Sequence, residues 1–253
     1  MSGRRHRIAR GARRTGVFGL AALTLVLTGF LVWANTPMVA ERGPAAAVLQ
    51  STAVTVTDTP TSVVIAPTEA ASGVGLVFIP GARVDPYAYL APLAGTVEAS
   101  GATVVITKPT LNLAFFDQRP LSTFTSAAPN VSTWYVGGHS LGGVRACMLV
   151  DSPDPKVSGL VLFASYCASS ISDSGVPVLS ISGSNDGLST PAKITETSDL
   201  LPLDTRFVQI AGANHASFGA FGVQPGDGTA TIPSDAVAQQ ITAELNAFLI
   251  ATS

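Results

Sequence analysis

The chain has 253 residues, of which 47% are hydrophobic and 12% are charged, so it can bury a sizeable core and general disorder is excluded. Charge is unevenly divided: residues 1–44 hold seven Arg and one Glu, whereas residues 45–253 hold seven Lys or Arg against fifteen Asp or Glu. An acidic body without a basic patch argues against nucleic acid as the partner.

The first feature along the chain is an apolar segment behind a basic tail. Residues 1–16 contain RRHRIARGARR, and residues 17–34 carry no charge. A helix of that length spans about 27 Å, close to the hydrocarbon thickness of a bilayer. Because the Arg cluster precedes the span, we expect a cytoplasmic tail, a single transmembrane anchor and a body outside the cell membrane.

A cleaved signal peptide is the alternative, and it would make the protein secreted. Signal peptides have a shorter apolar region of about 7–15 residues, and the candidate cleavage site near residues 38–40 is imperfect. An uncleaved anchor is therefore favoured. Residues 35–52 are rich in Ala, Pro, Thr and Ser without periodicity, which predicts a linker before a folded domain at 53–253.

Short β-branched runs alternate with helical stretches through the body. The predicted strands are 53–57, 62–66, 75–79, 103–107, 133–136, 159–163, 178–182 and 207–211. The predicted helices are 87–99, 111–116, 141–150 and 234–249. After an initial hairpin, this alternation predicts an α/β fold with a mostly parallel central sheet flanked by helices, and ligands at the carboxyl ends of the strands.

A serine stands at such a carboxyl end. Gly138, Ser140 and Gly142 form G-x-S-x-G between a predicted strand and a predicted helix. This pattern is typical of a sharp, strained turn that presents a nucleophilic serine at a helix N-terminus. A glycine-rich turn with a capping serine is the alternative.

A nucleophilic serine needs a general base, and the chain has three histidines. His6 lies in the basic tail, and His139 is adjacent to Ser140, so a structural role is expected for it. His215 follows the last predicted strand and is the only histidine after the serine, which makes it the candidate base.

The acid that orients the base should lie between the two in sequence. Asp186 directly follows the strand at 178–182 and is the first choice, with Asp173 as the second. For the oxyanion hole we expect the backbone N–H of Leu141 and that of Ala82, with Arg83 as the neighbouring alternative to Ala82.

Three stretches resemble the α/β-hydrolase superfamily, and within it the small lidless hydrolases related to dienelactone hydrolases. They are FIPGARVDPYAYLAPLA (78–94), GGHSLGG (137–143) and GANHASFGAFGVQPGDG (212–228). The resemblance implies carboxylic-ester hydrolysis without a cofactor. Dienelactone hydrolases use a cysteine nucleophile, and the serine here favours an ordinary esterase or lipase.

The loops bear on the substrate. Only residues 164–176 separate two strands where many relatives insert a lid, so an open site for a small-molecule or lipid ester is expected. The candidates for an acyl pocket, which can equally be core residues, are Phe115, Phe116, Phe218 and Phe221. Cys147 and Cys167 form no metal-binding pattern and are either a disulfide or two buried thiols.

A serine esterase is therefore the predicted function. An acyltransferase or a peptidase would use the same three side chains. A non-catalytic binding module on this fold would normally lack one of them, and none is missing.

Overall fold

The computed structural model describes residues 2–153 and 155–252, with side chains described from residue 16 onward. The side chains of the predicted basic tail, His6 among them, therefore lie outside the described residues. The chain divides into two units, residues 1–37 and residues 38–253.

The first unit is one long helix, α1 (Ser2–Ala34). Its part from Gly16 to Ala34, 19 residues, is long and apolar enough to cross a membrane, and only 6% of that window is buried. The predicted apolar N-terminal helix is thus confirmed. A membrane anchor and a signal sequence share this position and composition.

The second unit is built on one eight-stranded sheet. Its strands are β1 (Val54–Asp58), β2 (Ser62–Pro67), β3 (Val74–Ile79), β4 (Thr103–Thr107), β5 (Thr133–His139), β6 (Val157–Phe163), β7 (Val178–Gly183) and β8 (Arg206–Ile210). Their order across the sheet is β1-β2-β4-β3-β5-β6-β7-β8. β2 pairs antiparallel with β1 and β4, and all other pairs are parallel. The predicted hairpin and mostly parallel sheet are therefore confirmed.

Helices cover both faces of this sheet. They are α2 (Arg42–Leu49), α3 (Leu90–Ser100), α4 (Ser122–Thr125), α5 (Leu141–Cys147), α6 (Pro191–Glu196) and α7 (Ser234–Thr252). The helix predicted at 111–116 is instead two short 3-10 turns, Thr110–Asn112 and Ala114–Phe116. Leu111 has a φ of 56°, which lies outside the right-handed helical region and interrupts a continuous helix.

The two faces hold separate hydrophobic cores. Along β3, Leu76 and Phe78 join the core under α3 and α7, whereas Val77 and Ile79 join the core on the other face, beside α4 and α5. Side chains alternate between the faces of a strand, so a strand covered on both sides is apolar throughout. The continuous apolar run at 75–79 has this cause.

Residues 38–49, the amino-terminal connector, pack on the body. Met38 donates its N–H to the Arg83 carbonyl (2.6 Å) and accepts from the Asp85 N–H (3.0 Å), in a parallel bridge beside Val84. Glu41 donates its N–H to the Ala220 carbonyl (2.7 Å). The following helix α2 buries Val48 against the core. The composition of residues 35–52 did not predict this helix or these bonds.

A disulfide joins the end of α5 to the loop after β6. Cys147 and Cys167 are both buried, and their Cα atoms are 5.6 Å apart. The bond links the helix that follows Ser140 to the neighbouring loop. Of the two alternatives for these cysteines, the structure has the disulfide.

We expect replacement of both cysteines by alanine to lower the free energy of unfolding by about 3 kcal/mol. The bond closes a loop with a sequence separation of 20, and this closure restricts the unfolded chain. Thermal melting of the full chain in mild detergent, with and without a reductant, measures the effect. A reductant should lower the melting temperature of the wild type and leave that of the double variant unchanged; equal melting temperatures for the two proteins would contradict the expectation.

Candidate functional site

Ser140 occupies a strained turn between β5 and α5. Its φ of 52° and ψ of −124° lie outside the regions that L-residues favour. The Ser140 N–H donates to the Phe163 carbonyl (3.0 Å), and the Ser140 carbonyl accepts from the Ser165 hydroxyl (2.6 Å). These bonds hold the turn against β6, and the serine stays half-buried at the carboxyl end of β5. Strain maintained in this way is typical of a functional position.

The flanking glycines are required by space. A Cβ on Gly138 would lie 2.4 Å from the backbone carbon of Gly142, and one on Gly142 would lie 2.0 Å from the Ile79 carbonyl oxygen. Both distances are too short for a Cβ atom, and the atoms that it would meet belong to the backbone, which cannot move aside as a flexible side chain can. The two glycines of the G-x-S-x-G pattern are therefore required by the close approach of backbone atoms in this turn.

His215 and Asp186 meet at the same edge of the sheet. Asp186 follows β7, His215 follows β8, and the His215 Nδ1 lies 2.9 Å from the Asp186 Oδ2. The side chain of His215 is 1% exposed and that of Asp186 is 0% exposed, so the pair is removed from water. A buried carboxylate that contacts one ring nitrogen fixes the tautomer with its proton on Nδ1, which leaves Nε2 free to accept a proton.

The second carboxylate oxygen of Asp186 is also occupied. Its Oδ1 accepts from the N–H of Leu188 (2.8 Å) and of Ser189 (2.7 Å). The carboxylate plane is thereby fixed, and Oδ2 is directed at the imidazole. Asp173, the second choice from sequence, is exposed in the loop between β6 and β7.

The second ring nitrogen of His215, Nε2, is buried and has no hydrogen-bond partner among the described residues. The ring lies 4.5 Å, between centroids, from the ring of His139, the residue that precedes Ser140. Catalytic hydrogen bonds are often long before substrate binds, so an unpaired Nε2 beside a serine turn is the arrangement expected of a resting base.

Two backbone N–H groups near Ser140 are available as donors. Those of Leu141 and Ala82 form no hydrogen bond within the described part of the chain. The Arg83 N–H, by contrast, donates to the Asn112 carbonyl at 2.7 Å. Ala82 therefore stays the first candidate for an oxyanion donor in this loop.

Asp227 supports both loops that carry the Asp–His pair, a role that the sequence analysis did not assign. Its carboxylate accepts from the N–H of His215 (3.1 Å), Ala216 (2.9 Å) and Gly187 (3.1 Å), and from that of Gly228 (2.7 Å). The only sequence signal was its place in the third stretch of the resemblance. Nothing in the spacing indicates which distant N–H groups a loop carboxylate will meet.

We expect Asp227→Ala to lower the free energy of unfolding by about 2–4 kcal/mol, because four backbone N–H groups lose a charged acceptor. Thermal melting measures the effect. The exposed Asp204→Ala is the matched control, and equal melting of the two variants would contradict the role.

The loop between β6 and β7 and the four phenylalanines bear on what surrounds the site. Residues 164–177, between β6 and β7, contain no helix or strand and no lid domain. Phe115 and Phe116 are 55% and 51% exposed, whereas Phe218 and Phe221 are buried in the core. Phe115 and Phe116 are therefore the two phenylalanines with surface free to contact an acyl chain. No group of three His, Cys, Asp or Glu side chains that could hold a metal occurs among the described residues.

A mostly parallel sheet with a strained serine turn, and an Asp–His pair at the same edge, defines an α/β protein of the hydrolase type. Residues 75–239 match the alpha/beta hydrolase family. The match covers more than half of the chain, and the protein belongs to this family. No curated protein matches the chain.

Solved structures share the fold. A thermostable esterase from Pseudomonas putida ECU1011 superposes with a TM-score of 0.56 at 13% identity, over 82% of this chain and 87% of that one. Est1E from Butyrivibrio proteoclasticus gives 0.53 at 10% identity, over 79% and 99%. Alpha/beta hydrolase domain-containing protein 10 from mouse gives 0.53 at 11% identity, over 79% and 99%. At these identities the likeness concerns the fold alone.

Proposed function

We propose that the protein is a serine hydrolase that cleaves carboxylic esters through Ser140, His215 and Asp186. The observation that carries this proposal is the buried contact of 2.9 Å between His215 Nδ1 and Asp186 Oδ2. Within the described part of the chain, Nε2 has no hydrogen-bond partner, and Ser140 lies at the same end of the sheet. A thermostable esterase is among the solved structures that share the fold.

In the first half of the reaction, the Ser140 Oγ attacks the carbonyl carbon of the ester while its proton passes to His215 Nε2. The negative charge on the carbonyl oxygen is stabilised by the N–H groups of Leu141 and Ala82. The C–O bond to the alcohol then breaks, and the proton on Nε2 goes to the leaving alkoxide. The acyl group remains on Ser140 as an ester.

In the second half, water replaces the alcohol. His215 Nε2 takes a proton from the water as its oxygen attacks the acyl carbon, and the same two N–H groups stabilise the second oxyanion. The bond to Ser140 Oγ breaks, and the serine recovers its proton from Nε2. Throughout, Asp186 stabilises the imidazolium and keeps the Nδ1 proton in place.

The proposed location is outside the cell membrane, with α1 as the anchor. The Arg cluster before the apolar segment favours a cytoplasmic N-terminus. The disulfide between Cys147 and Cys167 is typical of an oxidising compartment. A secreted form released by signal cleavage is the alternative location.

One labelling experiment tests chemistry and location together. Intact and lysed cells that express the full chain are treated with a charged fluorophosphonate, which cannot cross a membrane and bonds to activated serines. We expect the wild type to be labelled equally in intact and lysed cells, in the membrane fraction. Ser140→Ala should not be labelled, and Ser122→Ala, which changes an exposed serine of α4, should be labelled as the wild type is.

Each other outcome contradicts a different part of the proposal. Labelling only after lysis would place the site on the cytoplasmic side, and labelling in the medium would indicate a secreted form. A folded wild type without labelling would favour a non-catalytic binding module. Matched ester and amide substrates then separate an esterase from a peptidase, and added alcohols test for acyl transfer.

A further inference from the structure

A chain of buried hydrogen bonds runs behind the candidate site through two side chains that the proposed mechanism does not use. Gly81 donates its N–H to the Tyr89 hydroxyl oxygen (2.9 Å), which lies 2.9 Å from His139 Nδ1. His139 Nε2 lies 3.1 Å from the backbone carbonyl of His215. Tyr89 is 0% and His139 is 1% exposed.

The protons in this chain have only one consistent arrangement. The His215 carbonyl can only accept, so His139 Nε2 must carry a proton. Burial, and then the neighbouring His215, hold the pKa of His139 well below its ordinary value, so the ring is neutral and Nδ1 is an acceptor. Burial also raises the pKa of Tyr89, whose hydroxyl therefore keeps its proton and donates it to Nδ1.

The three bonded groups belong to three different segments of the site. Gly81 follows β3 and precedes Ala82, His139 ends β5 and precedes Ser140, and His215 follows β8. The approach is close, because a Cβ on Gly81 would lie 2.8 Å from His139 Nδ1. The chain of bonds therefore connects the neighbours of the proposed oxyanion donor, the nucleophile and the base.

The position of the Ala82 N–H depends on this connection. The N–H groups on its two sides are both bonded, that of Gly81 to Tyr89 and that of Arg83 to the Asn112 carbonyl. Ala82 lies between these two fixed points with its own N–H unbonded among the described residues. An oxyanion donor acts fully only when its position is set before the charge develops.

We propose that Tyr89 and His139 are positioning residues. They hold the loop that carries Gly81 and Ala82 in a fixed position relative to the backbone of the base His215. This inference rests on the proposed function. The two side chains act on the transition state through the loops that they join, so their loss should lower kcat and leave KM nearly unchanged. Loss of one oxyanion donor lowers kcat by about 10²–10³-fold, and a displaced donor should have a smaller effect.

The test compares four variants of the full chain in detergent, with p-nitrophenyl butyrate as substrate. Tyr89→Phe and His139→Leu remove hydrogen bonds and keep side chains of similar bulk. His139→Gln keeps a neutral side chain that can both donate and accept a hydrogen bond. Tyr87→Phe, which removes a hydroxyl from the same 3-10 turn as Tyr89, is the matched control.

We expect Tyr89→Phe and His139→Leu to lower kcat by about 10–100-fold with KM within about threefold of the wild-type value, on the scale of a partly displaced oxyanion donor. His139→Gln should recover most of the kcat that His139→Leu loses, and Tyr87→Phe should behave as the wild type does. Melting temperatures are measured in parallel, because a purely structural role would lower stability without the selective loss of kcat or its recovery by Gln.

A wild-type kcat in Tyr89→Phe would overturn the inference. Equal losses of kcat in His139→Gln and His139→Leu would overturn it as well, because they would show that the packing of the His139 ring matters rather than its hydrogen bonds. If Tyr89→Phe does not fold, the kcat values of His139→Gln and His139→Leu test the inference instead. An inactive, unlabelled wild type would overturn the proposed function, and the inference with it. An active wild type with insensitive variants would overturn the inference alone.

Discussion

Ser140→Ala should lower kcat for ester hydrolysis by about a million-fold, the scale seen when a serine nucleophile is removed from a triad. The variant cannot form the acyl-enzyme, and residual turnover would come only from binding and from the N–H groups of Leu141 and Ala82. The fold should survive, because no side-chain hydrogen bond of Ser140 occurs within the described structure. Steady-state hydrolysis of p-nitrophenyl butyrate measures the effect.

The same experiment with His215→Ala tests whether serine and histidine act as one unit. We expect each single variant and the double variant to lose about the same activity, because either loss already stops nucleophilic attack. Ser122→Ala is again the control for a serine outside the site. Losses that multiply in the double variant would show that the two residues act independently and would contradict the mechanism.

Asp186→Asn should lower kcat by about 10⁴-fold. In the wild type Oδ1 accepts from the N–H groups of Leu188 and Ser189, so the oxygen of an asparagine should keep that position. Its NH₂ group would then face His215 Nδ1 and donate to it. The imidazole would have to carry its proton on Nε2, where it cannot accept the proton of Ser140.

The matched control for this variant is Asp173→Asn, since Asp173 is the other acid that the sequence offers and lies exposed between β6 and β7. We expect wild-type kinetics from it. The pH dependence and the melting temperature of Asp186→Asn are measured as well, to separate a changed tautomer from a loss of fold. A large loss of kcat in Asp173→Asn, together with an active Asp186→Asn, would contradict the assignment and would make Asp173 the acid that orients His215.

Much of this site could be predicted because its signals are local. Two glycines that the backbone requires indicate the turn around Ser140. Asp186 and His215 each follow a strand that is recognisable from its apolar residues. Chain order and the direction of parallel strands then suffice to bring these residues to one edge. The structure adds the contact between Asp186 and His215 that this reasoning expected.

The residues that sequence reasoning missed act across loops. Tyr89 stands eight positions from Gly81 and 50 from His139, and only the folded sheet brings the three together.

From sequence, Phe218 was equally compatible with lining a pocket and with filling the core, because an apolar residue in a loop has the same pattern in either role. The structure buries it against Phe163 and His139.

The helix α2 was missed for a related reason. Its sequence, RGPAAAVL, is short and rich in small residues, so no amphipathic pattern emerges above that of a linker. Its stability comes from packing, chiefly that of Val48 on the body, and packing partners cannot be read from eight residues.

The bridge between Met38 and Val84 determines where a water-soluble version of this protein can begin. A fragment that starts at residue 53, where the composition indicates the domain boundary, would lack the bonds from Met38 to Arg83 and Asp85 and the bond from Glu41 to Ala220. Those bonds brace the two loops on either side of the proposed oxyanion hole and base. A recombinant fragment for crystallisation or directed evolution should therefore start just ahead of Met38, and a protease that cuts after Ala40 would loosen the same loops.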